Sequence, residues 1–115
     1  MDVRPLTPDV SVADQLKPQD LTLVKSLGYR SVVCNRPDGE APDQPLFESI
    51  ATAAELCGIQ TRYLPVVPAA GVGPDHVEQM KQFLDELPKP ILAYCRTGAR
   101  STTVANAAMA AGNDR

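Results

Sequence analysis

Pro90-Ile91-Leu92-Ala93-Tyr94-Cys95-Arg96-Thr97-Gly98-Ala99-Arg100-Ser101 is the stretch whose reading decides the fold. An apolar run of strand length ends in a cysteine, a short glycine-bearing loop returns to an arginine, and an alanine-rich helical segment follows. Strand, loop and helix N-terminus in that order form a device for holding an anion against a sulfur atom.

The chemistry follows from the residue types. A cysteine is a strong nucleophile only as a thiolate, and a helix N-terminus beside arginine lowers its pKa. Cys95 meets both conditions. The N–H groups from Arg96 to Ser101, through Thr97, Gly98 and Ala99, can curl round an oxyanion, and Gly98 lets the backbone take a turn barred to bulkier residues. Arg100 offers a planar fork that matches a tetrahedral anion, and Ser101 can donate to the thiolate or leaving group. Arg96 adds positive potential at the mouth. The alternative is a buried cysteine at a strand end before a capped helix.

Outward from this stretch, the pattern alternates strands and helices. Val10-Ser11-Val12-Ala13 reads as a short edge strand. Pro18 opens a helix whose apolar face is Leu21, Val24 and Leu27, closed by Gly28. Ser31 to Cys34 is β-branched and apolar, hence a buried strand. Phe47, Ile50, Ala51, Ala54 and Cys57 share one helical face, which makes Cys57 a core residue. Thr61 to Val67 reads as a strand, with Pro65 marking an irregular end. Pro74 starts a helix with Val77, Met80, Leu84 and Leu87 on its apolar side. Ser101, Val104, Ala105, Ala108 and Met109 give the last helix a small-residue face. The expectation is one domain over residues 1–115, a three-layer α/β sandwich with a mainly parallel sheet of about four to five strands.

After the strand Ser31–Cys34 comes Asn35-Arg36-Pro37-Asp38-Gly39-Glu40. As turn chemistry it reads as a surface loop. Its position at the carboxyl end of a strand also makes Asn35, Arg36 and Asp38 candidates for binding the anion. Asp75 lies in the first turn of the helix after Pro74, where an acid is favourable against the helix dipole; it is also the nearest carboxylate for a general acid. His76, the single histidine, reads as a solvent-exposed helix residue.

Composition narrows the classes of function. A net charge of −3 with scattered basic residues gives no nucleic-acid-binding face. Three cysteines without a CxxC pair suggest neither a disulfide framework nor a metal site, and favour a reducing, cytoplasmic setting. No signal-peptide core or membrane-length apolar run is present in the 115 residues, and no cofactor is implied. Gly112-Asn113-Asp114-Arg115 follow closely on the last helix. They fit either a natural end or the cut edge of a longer polypeptide.

Cys95 to Ser101, read as Cys-Arg-x-Gly-x-Arg-Ser, resembles the active-site loop of rhodanese-like sulfurtransferases and, less closely, that of cysteine-dependent phosphatases. Together with Val10 to Leu16, Asn35 to Glu40 and Tyr63 to Pro68, it makes nearly the whole chain resemble one group. That group is the phosphatase-like domain of beta-lactamase-hydrolase-like proteins, also described as a sulfur transferase family. The resemblance implies a dual-specificity-phosphatase-like fold and a role in sulfide or persulfide handling. It also implies a fused or separate partner, a metallo-beta-lactamase-type persulfide dioxygenase.

Three features weigh the reaction. Phosphatases of this fold place one residue more between cysteine and arginine than Arg96 to Ala99 provide. They commonly have histidine where this chain has Tyr94. They supply an aspartate where this chain has Val67-Pro68-Ala69-Ala70, leaving Asp75 as substitute. The expectation is therefore sulfur transfer: Cys95 takes sulfane sulfur from thiosulfate or a persulfide and passes it to a thiol or cyanide. The alternatives are a phosphatase using Cys95, Arg100 and Asp75, and a non-catalytic anion-binding or redox-sensing module. In each case the ligand is a small anion.

Overall fold

Ile91–Tyr94 forms the central strand, β5, of a five-stranded sheet ordered β1-β2-β5-β3-β4. The others are β1 (Val3–Thr7), β2 (Val10–Ala13), β3 (Ser31–Cys34) and β4 (Gln60–Tyr63). All pairings are parallel except β1 with β2, a hairpin. The structure, a computed structural model of the chain, describes residues 1–113; Asp114 and Arg115 lie outside them.

Both faces of β5 are covered, which is why its sequence is continuously apolar. Ile91 and Ala93 face one core with Val10, Val12, Val33, Met80, Leu84, Val104 and Ala108. Leu92 and Tyr94 face the other, with Leu16, Leu21, Val24, Val32, Ile50 and Ala54. Helices α3 (Pro74–Glu86) and α4 (Ala99–Asn113) close the first layer. Helices α1 (Leu21–Ser26) and α2 (Phe47–Leu56) close the second, after a short 3-10 turn at Pro18–Asp20. The fold is the three-layer α/β sandwich expected. Ala105 and Ala108 are fully or almost fully buried, and their small side chains let α4 lie close to the sheet.

Three expectations change. Leu27, expected on the apolar face with Leu21 and Val24, lies just past the end of α1 at Ser26 and is exposed. Val10–Ala13 is an interior strand, with every residue buried between β1 and β5. The edge is β1, whose Arg4-Pro5 pair conceals the strand pattern, since proline is confined to edges and bulges and the register shifts just after it. The strand expected over Thr61–Val67 ends at Tyr63. Its continuation still follows β3: the Leu64 N–H donates to the Cys34 carbonyl at 2.8 Å and the Val66 N–H to that of Asn35 at 2.9 Å. Pro65, with no N–H to give, falls between them on the outer side.

Candidate active site

The carboxyl ends of β2, β5 and β3 converge on one loop. Cys95 follows β5 directly, its N–H directed at the Ala13 carbonyl on β2, while the Asn35 N–H after β3 takes the Tyr94 carbonyl at 2.8 Å. The loop turns at Gly98, which sits at φ +96°, a region that an L side chain rarely adopts. Its N–H then donates to the Cys95 Sγ at 3.1 Å. Helix α4 begins at once, and the Thr102 N–H and hydroxyl both bind the Gly98 carbonyl, at 2.9 and 2.8 Å. The Ala99 N–H is capped by the Thr97 hydroxyl at 3.3 Å.

Cys95 is 1% exposed, the floor of this cradle. Burial works against its thiolate. Hydrogen bonds from the Ser101 N–H and hydroxyl, then from the N–H groups of Gly98 and Thr97, outweigh that cost and hold the thiol below its ordinary pKa. Cys34, also buried, shows the opposite outcome. Burial pushes it up to about 11, although hydrogen bonding with Tyr94 and with the Arg36 backbone pulls the other way. Two buried cysteines at adjacent strand ends thus differ because only one faces convergent N–H groups. Tyr94 turns into the α1/α2 core, and burial likewise pushes its phenol up.

Arg100 rises from the first turn of α4 but is already engaged. Its two terminal nitrogens bind both oxygens of Glu40, Nη1 to Oε2 at 2.8 Å and Nη2 to Oε1 at 2.7 Å, and Nη1 also donates to the Val66 carbonyl at 2.8 Å. Glu40 accepts as well from Arg36 Nε at 2.9 Å. The Arg100 guanidinium, followed by that of Arg36, overcomes partial burial and holds the Glu40 carboxyl below the usual range. One carboxylate therefore aims two arginines. Glu40 was legible only as a member of the turn after β3, since nothing local ties it to a residue 60 positions away.

The rest of that turn divides its labour. Asn35 is fully buried beneath the loop: its amide nitrogen donates to the Leu64 carbonyl at 3.0 Å, and its oxygen accepts from the Ser101 hydroxyl at 2.8 Å. The Ser101 proton is thus shared between Asn35 and the Cys95 sulfur, one at a time. Arg36 is spread between Glu40 and the Gln15 side chain, its Nη1 3.0 Å from Oε1. Asp38 stands on the outer side, its carboxylate accepting the Phe47 N–H at 2.8 Å at the start of α2. Arg96 and Thr97 are exposed at the loop's surface. Asp75 is exposed in the first turn of α3. His76 is half-buried rather than free: its Nδ1 accepts the Gly73 N–H at 3.0 Å and caps α3.

Asn35→Ala is expected to lower stability by about 1–3 kcal/mol, because the buried Leu64 carbonyl loses its side-chain donor and the Ser101 hydroxyl keeps only the Cys95 sulfur as acceptor. Urea denaturation of the variant measures this; an unchanged midpoint would mean these bonds contribute nothing net.

A cleft of about 410 Å³ opens beside the loop, bounded by Gln15, Lys17, Arg36, Asp43 and Gln44. Another of about 420 Å³, bounded by Thr7, Asp9, Lys81 and Met109, lies at the opposite end of the sheet, away from Cys95. Among the described residues, no group of three or more His, Cys, Asp or Glu side chains is placed to hold a metal ion. No helix among them is long and apolar enough to cross a membrane.

A cysteine cradled at the end of a central parallel strand, before an arginine-bearing helix, defines a phosphatase-like α/β domain. The particular family is the phosphatase-like domain of beta-lactamase hydrolase-like proteins: its model matches residues 2–112, and the chain belongs to it. A beta-lactamase hydrolase-like protein of Agrobacterium fabrum is 28% identical over 95 residues, 83% of this chain but 22% of that protein. The chain thus spans a minor part of this relative. The crystal structure of a putative phosphatase from Neisseria meningitidis is 32% identical, with a TM-score of 0.81 over 87% of this chain and 70% of that one. A second such structure, from Shewanella putrefaciens, shares the fold at 18% identity, with a TM-score of 0.83 over 98% of this chain and 70% of that one.

Proposed function

We propose that residues 1–115 act as one domain, a cysteine-dependent phosphatase for small anionic substrates with a good leaving group, aryl phosphates being the model class. The carrying observation is the Cys95 sulfur held at the focus of the loop N–H groups, with its pKa lowered and Arg100 alongside. In this reading the thiolate attacks phosphorus, the P–O bond to the leaving group breaks, and a phosphocysteine forms. Water then cleaves the S–P bond, releasing phosphate and restoring the thiolate. Loop N–H groups and Arg100 bind the equatorial oxygens. Asp75, exposed on α3, is the candidate acid for the leaving oxygen. A poor alkyl leaving group needs such an acid more than an aryl oxide does.

Sulfur transfer is the second reading, favoured by the four-residue interval between Cys95 and Arg100. The expected persulfide dioxygenase partner belongs to that reading alone. Parallel assays of the reduced protein separate the two. The phosphatase reading expects p-nitrophenyl phosphate hydrolysis and no mass gain of one sulfur on Cys95 with thiosulfate. Sulfur gain without hydrolysis would replace it.

A further inference from the structure

We propose that Arg4, near the start of the chain, is a positioning residue of the Cys95 loop: its guanidinium holds the Thr97–Gly98 peptide with the N–H turned toward the sulfur. The inference rests on the reading of Cys95 as the activated nucleophile, and deepens it.

A peptide unit is planar and trans, so its carbonyl and N–H point in opposite directions. In the Thr97–Gly98 unit both ends are engaged. The N–H reaches Cys95 Sγ at 3.1 Å, and the Thr97 carbonyl accepts from Arg4 Nη2 at 2.9 Å. Rotating this unit by half a turn would aim the carbonyl dipole at the thiolate and the N–H at a cation. Both exchanges are unfavourable, so the guanidinium selects the orientation that serves the nucleophile.

Such an external hold matters because the pivot is glycine. Gly98 at φ +96° carries little intrinsic preference for one sign of φ, so the loop alone opposes that rotation weakly. The same glycine makes room for the clamp: a Cβ at Gly98 would fall on the Arg4 guanidinium. Arg4 is delivered by the β1–β2 hairpin, where it pairs with Val12, one residue before Ala13, whose carbonyl faces the Cys95 N–H. An arginine also polarises the carbonyl it binds, which strengthens donation by the N–H of the same unit.

The test is the pH dependence of Cys95 alkylation by iodoacetamide, located by mass spectrometry, in wild type, Arg4→Met and Arg4→Lys. The other ionisable groups coupled to Cys95, Arg100 on α4 and Cys34 on β3, are unchanged by these substitutions. In Arg4→Met the alkylation midpoint should move to higher pH and kcat for p-nitrophenyl phosphate should fall about ten-fold, with KM less affected. Arg4→Lys, a point charge without the fork, should recover part of both. Arg4 is exposed, so the thermal midpoint should stay near wild type. A midpoint identical in wild type and Arg4→Met would overturn the clamp and leave the active-site reading intact. A wild-type midpoint at the ordinary thiol value would overturn that reading, and the clamp with it.

Discussion

At neutral pH a brief pulse of iodoacetamide should modify Cys95 and leave Cys34 untouched. With its pKa pushed up to about 11, Cys34 is thiolate in only about one molecule in ten thousand at pH 7. Cys95 is held below the ordinary thiol value by Ser101, Gly98 and Thr97, which overcome its burial. Nucleophilicity falls as pKa falls, but only about half as steeply on a logarithmic scale as thiolate population rises. Selectivity by peptide mass spectrometry should therefore be about ten-fold or more. Cys95→Ser should meanwhile lose hydrolysis to background, because a serine hydroxyl stays protonated where the thiol ionises. Modification of Cys34 at a comparable rate would show that the loop does not activate its cysteine.

The second large effect concerns Glu40, which holds both Arg100 and Arg36. Arg100→Lys keeps the charge but loses the two-pronged contact, so kcat/KM should fall about 10²-fold or more. Glu40→Gln should lower stability at pH 7 by about 1.5–3 kcal/mol, the range for charged hydrogen bonds, since each side chain of the pair is less than one-fifth exposed. The pH dependence has a definite sign. Glu40 titrates lower in the fold than in the unfolded chain, where its pKa is about 4.3. Its stabilisation is thus complete above about pH 4.3 and disappears as the pH falls through the folded-state value. Wild type should lose its advantage over Glu40→Gln in that acid window, as urea titrations at stepped pH will measure. A constant gap down to pH 2 would assign the effect to shape rather than charge.

The ion triad also bears on substrate choice. Arg100 is bound to Glu40 in the structure, so in the proposed reaction a doubly charged phosphate would enter against a neighbouring carboxylate as well as toward a cation. On that reading the remaining pull would come from the loop N–H groups and from the exposed Arg96. That balance favours tetrahedral anions that fill the N–H cradle over anions attracted by charge alone.

Within the chain, local chemistry alone determined the turn from Cys95 to Ser101 and the layer architecture. Ile91 to Tyr94 had to be a buried strand, Gly98 had to turn, and Ala105 and Ala108 had to face a surface, because each follows from near neighbours and a fixed period. The lowered pKa of Cys95 agrees with an expectation drawn on the same grounds. Tertiary structure decided everything that joins residues distant in the chain. It put Val10–Ala13 inside the sheet, turned Asp38 outward to cap α2, buried Asn35 under Ser101, bound Arg100 to Glu40 and brought Arg4 to Thr97. These are contacts between polar side chains or edge backbone, whose partners are chosen by strand order and register rather than by periodicity. The turn and helix start from Cys95 to Ser101 are therefore legible in sequence, while the residues that contact them appear only once the sheet is assembled.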